Sequence, residues 1–284
     1  MRIDSHHHLW TRAVTPQTWL NQDMVAIDRD FEVSDLETTV GDRADRTVLV
    51  QTAATIEETE RFLDLAKATP LIGAVVGWAD LTTPDLTDTL DRLRSSGHGA
   101  WLRGIRHQVQ DEADPCWLER PDVLRGLRTL GEHGLVYDLL TLPHQLPAAI
   151  TAVRQLPEVR FVLDHLSKPP IAAIAAGDRD ALRTWSVDLG RLAALPNVSA
   201  KLSGLVTEAD WTRWTIADIR PIVDVAIETF GPTRLLVGSD WPVCLLAASY
   251  AQVDELHHEL VAGLSPPDQD LVFGANAASL YGIT

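Results

Sequence analysis

Cysteine is almost missing from this chain of 284 residues, with only Cys116 and Cys244 present. Two thiols this far apart form neither a disulfide scaffold nor a CxxC motif, so both are read as free. No run approaches the ~20 uninterrupted apolar residues that cross a bilayer. The opening MRIDSHHHLW lacks the basic-then-apolar layout of a secretory signal, which makes the cytoplasm the expected location. Lysine is nearly as scarce: Lys67, Lys168 and Lys201 are the only ones among 24 basic residues. Where arginine serves almost everywhere else, a retained lysine marks a place where a compact point charge matters. The net charge of −16 argues against nucleic acid and anionic membranes as partners, because phosphate binding needs clustered Lys and Arg. A glycine-rich phosphate turn is also missing after the first predicted strand, which weakens the case for an open dinucleotide-binding sheet.

What is present is an ordinary globular balance, 45% apolar and 23% charged, with no internal repeat and no composition shift to mark a linker. Eight short, nearly continuous apolar runs fall at 2–4, 47–52, 71–78, 101–106, 135–139, 160–164, 198–202 and 235–239. Such runs are expected of parallel strands buried on both faces. Amphipathic stretches at 57–68, 85–95, 118–133, 145–155, 179–194, 216–230 and 250–262 lie between and after them. Thr83 or Asp85 is placed to cap one helix, and Gly97, Gly131, Gly231 and Gly263 stand where helices should stop. Eight strand–helix alternations favour a closed (β/α)8 TIM barrel, an α/β fold needing ~250 residues. The chain is therefore read as one domain over 1–284, with 266–284 as an extra C-terminal helix. The longest irregular connection, from Leu9 to Phe31, carries Trp10, Pro16 and Trp19 and is placed to fold over the barrel mouth.

Catalytic groups of a barrel come from the carboxyl ends of several strands, and those ends are polar here. His6 and His8 are two apart on an extended segment, so both rings project to one side while His7 points away. With a carboxylate such as Asp240 they are candidate ligands for one divalent cation. His165, directly after FVLD, is expected to face the mouth, and Asp240 in GSDWP reads as functional rather than as a helix cap. Arg106, His107, Lys168 and Lys201 are candidate substrate contacts. Trp10, Trp78 and Trp241 lie at strand ends, where their faces could pack on a sugar ring, and Trp10 and Trp241 are counted among the substrate-binding residues. Asp164 is read as a residue that orients its neighbours.

Taken together, DSHHHLW, RGIRH, GLVYDLL, DHLSKP, KLSGL, GSDWP and FGANAASLYG resemble the amidohydrolase superfamily (amidohydrolase family 2). The likeness runs nearly end to end and is to the sugar-lactonase branch, which includes fuconolactonases and rhamnonolactonases. It implies hydrolysis of a sugar-acid lactone, with Asp240 as general base and His165 polarising the carbonyl. It also implies a metal-capable site at His6, His8 and Asp240. Zn2+ is the expected ion, and a metal-free reaction is the alternative. Binuclear relatives carry a bridging Lys on strand four and a His on strand five. Arg106, His107 and Asp138 stand there instead, so a two-metal site is not expected. Two competing readings are a metal-dependent non-oxidative decarboxylase of an aromatic or muconate-like acid, and a silent sugar-binding barrel. The expected partner is a small-molecule substrate, with assembly into a homo-oligomer left open.

Overall fold

A computed structural model describes residues 1–284. Eight parallel strands form one sheet in sequential order: β1 (Ile3–His7), β2 (Arg46–Val50), β3 (Ile72–Gly77), β4 (Leu102–His107), β5 (Val136–Leu139), β6 (Arg160–Leu163), β7 (Val198–Leu202) and β8 (Leu235–Val237). Closure runs through the segment after β8. His8 N donates to Trp241 O at 2.7 Å and Asp240 N to His6 O at 2.8 Å. The Asp4 carboxylate reinforces the seam by accepting from Ser239 N at 2.8 Å and Ser239 Oγ at 2.6 Å. The outcome is the expected (β/α)8 barrel.

The strands are wrapped by α1 (Val33–Val40), α2 (Ile56–Ala68), α3 (Leu86–Ser95), α4 (Pro121–Glu132), α5 (Leu146–Gln155), α6 (Ile171–Ala175), α7 (Arg179–Ala193), α8 (Ile216–Phe230) and α9 (Tyr250–Leu260). Local chemistry sets their ends. Thr55 caps α2 by accepting from Glu58 N at 3.2 Å, and Thr215 and Asp218 form a reciprocal capping box on α8. The stretch expected at 118–133 divides into a 3-10 turn, Trp117–Glu119, and α4. Pro121 opens α4 because proline fits a first helical turn and breaks an interior. Gly131 lies inside that helix, and Gly134, at φ +67°, makes the stop. Asp85 takes the cap position of α3 without a side-chain cap hydrogen bond. Helices α1 and α6 were not anticipated. The tail is α10 (Pro266–Asp270), a π-helical turn (Leu271–Ala275) and α11 (Asn276–Tyr281) rather than one helix. No helix is long and apolar enough to cross a membrane.

A large apolar cluster fills the space between strands and helices, and a smaller one fills the lower barrel. In the latter, Val48, Val50, Ala74, Val76, Val136, Val162 and Leu236 meet Ala277, Tyr281 and Ile283 from the tail, which plugs the barrel from below. Above this apolar floor lies a charged layer, and above that the mouth. Ile3 belongs to the floor, yet His6 and His8 also point inward. The irregular register of β1 between Asp4 and His7 shifts the alternation and makes both possible.

Candidate active site

The charged layer is built from β1, β4, β5, β6 and β7. Lys201 is fully buried and ion-paired to Asp138 and, at 2.9 Å, to Asp164 Oδ1. Tyr281 Oη donates to both Asp138 oxygens at 3.0 and 2.9 Å. Arg106 Nη1 donates to Asp164 Oδ2 at 3.1 Å, and Arg106 Nε to Gln51 Oε1 at 3.1 Å. Burial pushes both carboxyls up. For Asp138 that effect prevails, to about 6, while Lys201, His6 and Arg106 overrule it at Asp164 and hold that group well below the usual carboxylate range. Gly104 on β4 lies just below this layer, and a side chain there would press on Val136 O and Val76.

Above the layer the four groups singled out from sequence converge. His6 Nε2 lies 3.2 Å from His8 Nε2, and Asp240 Oδ1 is 3.7 Å from the first and 3.4 Å from the second. His165 Nε2 is 3.9 Å from the same carboxylate oxygen. His8 Nδ1 is 2.7 Å from Val50 O, a group that only accepts, so this nitrogen carries the hydrogen and Nε2 faces the cluster. His7 points away, onto Thr47 Oγ1 at 2.9 Å. Burial depresses His6 strongly and His165 to about 4, leaving both rings neutral near pH 7. Burial pushes the Asp240 carboxyl up, but the facing His165, His8 and His6 outweigh it and keep the group ionised.

Two backbone features aim these groups. His165, Leu166, Ser167 and Lys168 all have φ between 49° and 60°, a left-handed turn of four non-glycine residues. Each such residue costs roughly 1–2 kcal/mol relative to the right-handed form. Its surroundings impose the turn. Trp185 Nε1 donates to Leu166 O at 2.9 Å, Ser167 Oγ is 2.8 Å from Thr141 Oγ1, and Lys168 N donates to His165 O at 2.8 Å. Pro169 further denies Lys168 the right-handed region. Asp240 is also left-handed, at φ 57°, a conformation aspartate tolerates better than most residues. Ser203 Oγ lies 2.9 Å from His165 Nδ1, and Gly204 follows at φ +62°. A Cβ on Gly204 would sit 2.6 Å from His165 Nδ1.

A cavity of about 500 Å3, mouth included, opens over the cluster and is lined by His8, Trp19, Thr52, Arg106, Gln108, Gln110, Leu140, His165, Lys168, Asp240 and Val243. Asp240 is the only acid on the wall, and Arg106 and Lys168 are its only cations. The Gln110 carbonyl oxygen is buried and accepts no hydrogen bond from the protein. Lys168 is held by Glu208 at 3.3 Å.

Four expected substrate contacts lie off this wall. Trp10 is buried, donates to Arg29 O at 2.7 Å, and packs edge-on against Trp19 and Phe31. Trp241 is likewise buried against Phe31. Both anchor the long first loop and leave no face free for a sugar. His107 is stacked on Trp117 and bonded to Trp78 and Glu112, which occupies its ring and the indole N–H of Trp78. Lys201 sits beneath the histidines, not beside the cavity. The aromatic that does reach the wall is Trp19. Its Nε1 donates to Gln17 Oε1 at 2.8 Å, and Gln17 Nε2 donates to Thr52 Oγ1 at 2.9 Å. Thr52, Gln108, Gln110, Leu140 and Val243 had no role in the sequence reading. Their signal was position alone, each being within a few residues of a strand's carboxyl end.

A metal was expected at His6, His8 and Asp240. His6, His165 and Asp240 present ligand atoms within 4.8 Å of one another, so His165 joins that set. Two ligands ~2.1 Å from a tetrahedral zinc ion lie ~3.4 Å apart, close to the 3.2, 3.4 and 3.7 Å found among His6, His8 and Asp240. The donors fit one ion. They do not fit two, because the groups beside them, Arg106 and Lys201, are cations ion-paired to Asp164 and Asp138 rather than metal donors.

The sequence and the barrel are shared along their full length with known proteins. An L-fucono-1,5-lactonase of Burkholderia multivorans is 41% identical over 292 aligned positions, covering 100% of this chain and 96% of that protein. Two crystal structures of an amidohydrolase from Burkholderia multivorans, one with bound HEPES and one with bound zinc, superpose with TM-scores of 0.95 and 0.93. Each is 38% identical and fully covered in both directions. A 5-carboxyvanillate decarboxylase of Sphingomonas paucimobilis, at 14% identity and TM-score 0.66, shares the fold alone. The amidohydrolase family model matches residues 3–283, and with a relative 41% identical along the full chain, the chain belongs to the amidohydrolase family.

Proposed function

We propose that the protein opens the lactone of a sugar acid, with L-fucono-1,5-lactone the first compound to try. The observation that carries this reading is the wall of the cavity. A single ionised carboxylate, Asp240, faces His165 across a space lined mainly by amide, hydroxyl and cationic groups, with Trp19, Leu140 and Val243 as an apolar side. Such a lining suits a neutral, polyhydroxylated ring with one apolar edge. Likeness along nearly the whole chain to two L-fucono-1,5-lactonases, at 41% and 38% identity, supports the same substrate class.

In this mechanism Asp240 takes a proton from a water that adds to the lactone carbonyl carbon. The carbonyl oxygen, becoming an oxyanion, lies toward His165 and the two cations, Arg106 and Lys168. A preorganised donor at that position contributes roughly 3–4 kcal/mol. Collapse of the tetrahedral intermediate breaks the ring C–O bond, and the proton held by Asp240 passes to the departing ring oxygen. The product is the open hydroxy acid. Gln108, Gln110 and Thr52 hold ring hydroxyls, and Trp19 covers the apolar face. A divalent ion bound by His6, His8, His165 and Asp240 would supply Lewis acidity toward the carbonyl oxygen.

The test is a panel of aldonolactones with acid release followed by a pH indicator. The expected result is turnover of 1,5- or 1,4-aldonolactones. Asp240→Asn should lower kcat by about 10²–10⁴-fold. Undiminished turnover in that variant would overturn the base assignment. Release of carbon dioxide from an aromatic acid would favour the decarboxylase reading, whose known examples share only the fold.

A further inference from the structure

We infer that Lys201 sets the tautomer of His6, and with it whether the His6–His8 pair is closed by a hydrogen bond or open to a metal ion. Lys201 is a positioning residue in this role, since it touches neither the cavity nor any group on its wall except through His6. Its Nζ lies 3.2 Å from His6 Nδ1, in hydrogen-bonding geometry. An ammonium only donates, so this contact needs a lone pair on Nδ1 and leaves the ring hydrogen on Nε2. That hydrogen then points at His8 Nε2, 3.2 Å away. His8 Nε2 is free to accept because its Nδ1 hydrogen is given to Val50 O at 2.7 Å. The donors line up in one direction, from Lys201 to His6 to His8 to Val50.

The opposite tautomer has a partner available but does not use it. Asp164 Oδ1 lies 3.4 Å from His6 Nδ1 and could accept its hydrogen. It is buried and receives no well-formed hydrogen bond, although Lys201 ion-pairs with it at 2.9 Å. Were Nδ1 protonated, Nε2 lone pairs of His6 and His8 would face each other at 3.2 Å, an arrangement that a cation between them would stabilise. Arg106 Nη1 aims one hydrogen at His6 Nε2, 3.3 Å away, and the other at Asp164 Oδ2, at 3.1 Å. The first opposes the Nε2–H form, but the Nδ1–H form would set His6 against both the Lys201 ammonium and the His8 lone pair. The metal-free and metal-holding forms thus require opposite tautomers, and Lys201 favours the first while Asp164 favours the second.

The test uses the full-length, metal-depleted protein. Long-range 1H–15N correlation spectra of the histidine side chains report which ring nitrogen carries hydrogen, with His6 assigned by loss of its signals in His6→Gln. The wild type is expected to show His6 protonated on Nε2. Zinc affinity, from competition with a chromophoric chelator, should tighten about 10–100-fold in Lys201→Met, the range by which partners behind a ligand change metal affinity. Asp164→Asn should keep the Nε2 hydrogen and weaken zinc. A wild-type His6 protonated on Nδ1 would overturn the proposal, as would a folded Lys201→Met that binds zinc no more tightly. Should Lys201→Met fail to fold, the wild-type spectrum decides alone. Neither readout uses a substrate, so failure here leaves the lactone reading untouched.

Discussion

Replacing Gly204 by alanine tests how His165 is held. Two effects separate cleanly. The backbone at φ +62° costs an alanine roughly 1–2 kcal/mol, which should lower Tm by roughly 2–8 °C at the ~2–4 °C per kcal/mol of large domains. The new Cβ would also lie 2.6 Å from His165 Nδ1, 2.8 Å from its Cγ and 3.2 Å from Asp240 Oδ2. Comfortable contacts are ~3.5–4.0 Å, so the ring must retreat by about 1 Å. A displacement of that size is worth ~10²-fold in rate. Gly134→Ala is the matched control, with φ +67° and no atom within 4 Å of its added Cβ. The assay is kcat/KM for lactone hydrolysis beside thermal denaturation. Gly134→Ala should show the backbone cost alone, Gly204→Ala at least that much, and only Gly204→Ala should lose about 100-fold in kcat/KM. If a folded Gly204→Ala keeps kcat/KM within about threefold of the parent, close packing against Gly204 is not what positions His165.

Three further expectations follow the same geometry. Trp19→Ala removes an apolar wall that contacts substrate and transition state alike, so KM should rise about tenfold with kcat nearly unchanged; a fall in kcat alone would contradict this. Burial holds His165 neutral until about pH 4, and below that value the protonated ring would pair with the Asp240 carboxylate and quench its basicity. Turnover should therefore be level from pH 7 to about 5 and fall as pH drops through about 4; an acid limb near 6.5 would show that His165 has an ordinary pKa. Asp4→Ala strips the acceptor from Ser239 N and Ser239 Oγ at the barrel seam. Each orphaned donor costs about 1–3 kcal/mol, so denaturant midpoints should drop clearly, and an unchanged midpoint would remove Asp4 from the seam.

The order and number of the strands were legible in the residues, because apolar runs and amphipathic stretches alternate with little ambiguity, whereas the short helices α1 and α6 were not. The parity of His6 and His8 was legible too, since side chains two apart on an extended strand share a side whatever surrounds them. Position after a strand's end was enough to suggest His165 and Asp240. What the same reasoning missed shares one cause. Trp10, His107, Lys201 and Trp241 sit where a substrate contact would be expected, but packing decided otherwise. Phe31 and Trp19 close over Trp10, Trp117 stacks on His107, and two carboxylates from neighbouring strands draw Lys201 into the barrel.

The chain alone therefore determined the barrel, its eight units and which strand ends carry chemistry, since these follow from local periodicity and covalent spacing. Tertiary structure decided which polar groups reach the cavity and which become its foundation. Trp19 reaches the wall from a long loop, Lys201 disappears beneath His6, and a four-residue left-handed turn aims His165, each through contacts between segments far apart in sequence. Burial and distances of a few ångströms settle such questions, and neither can be read from the order of residues.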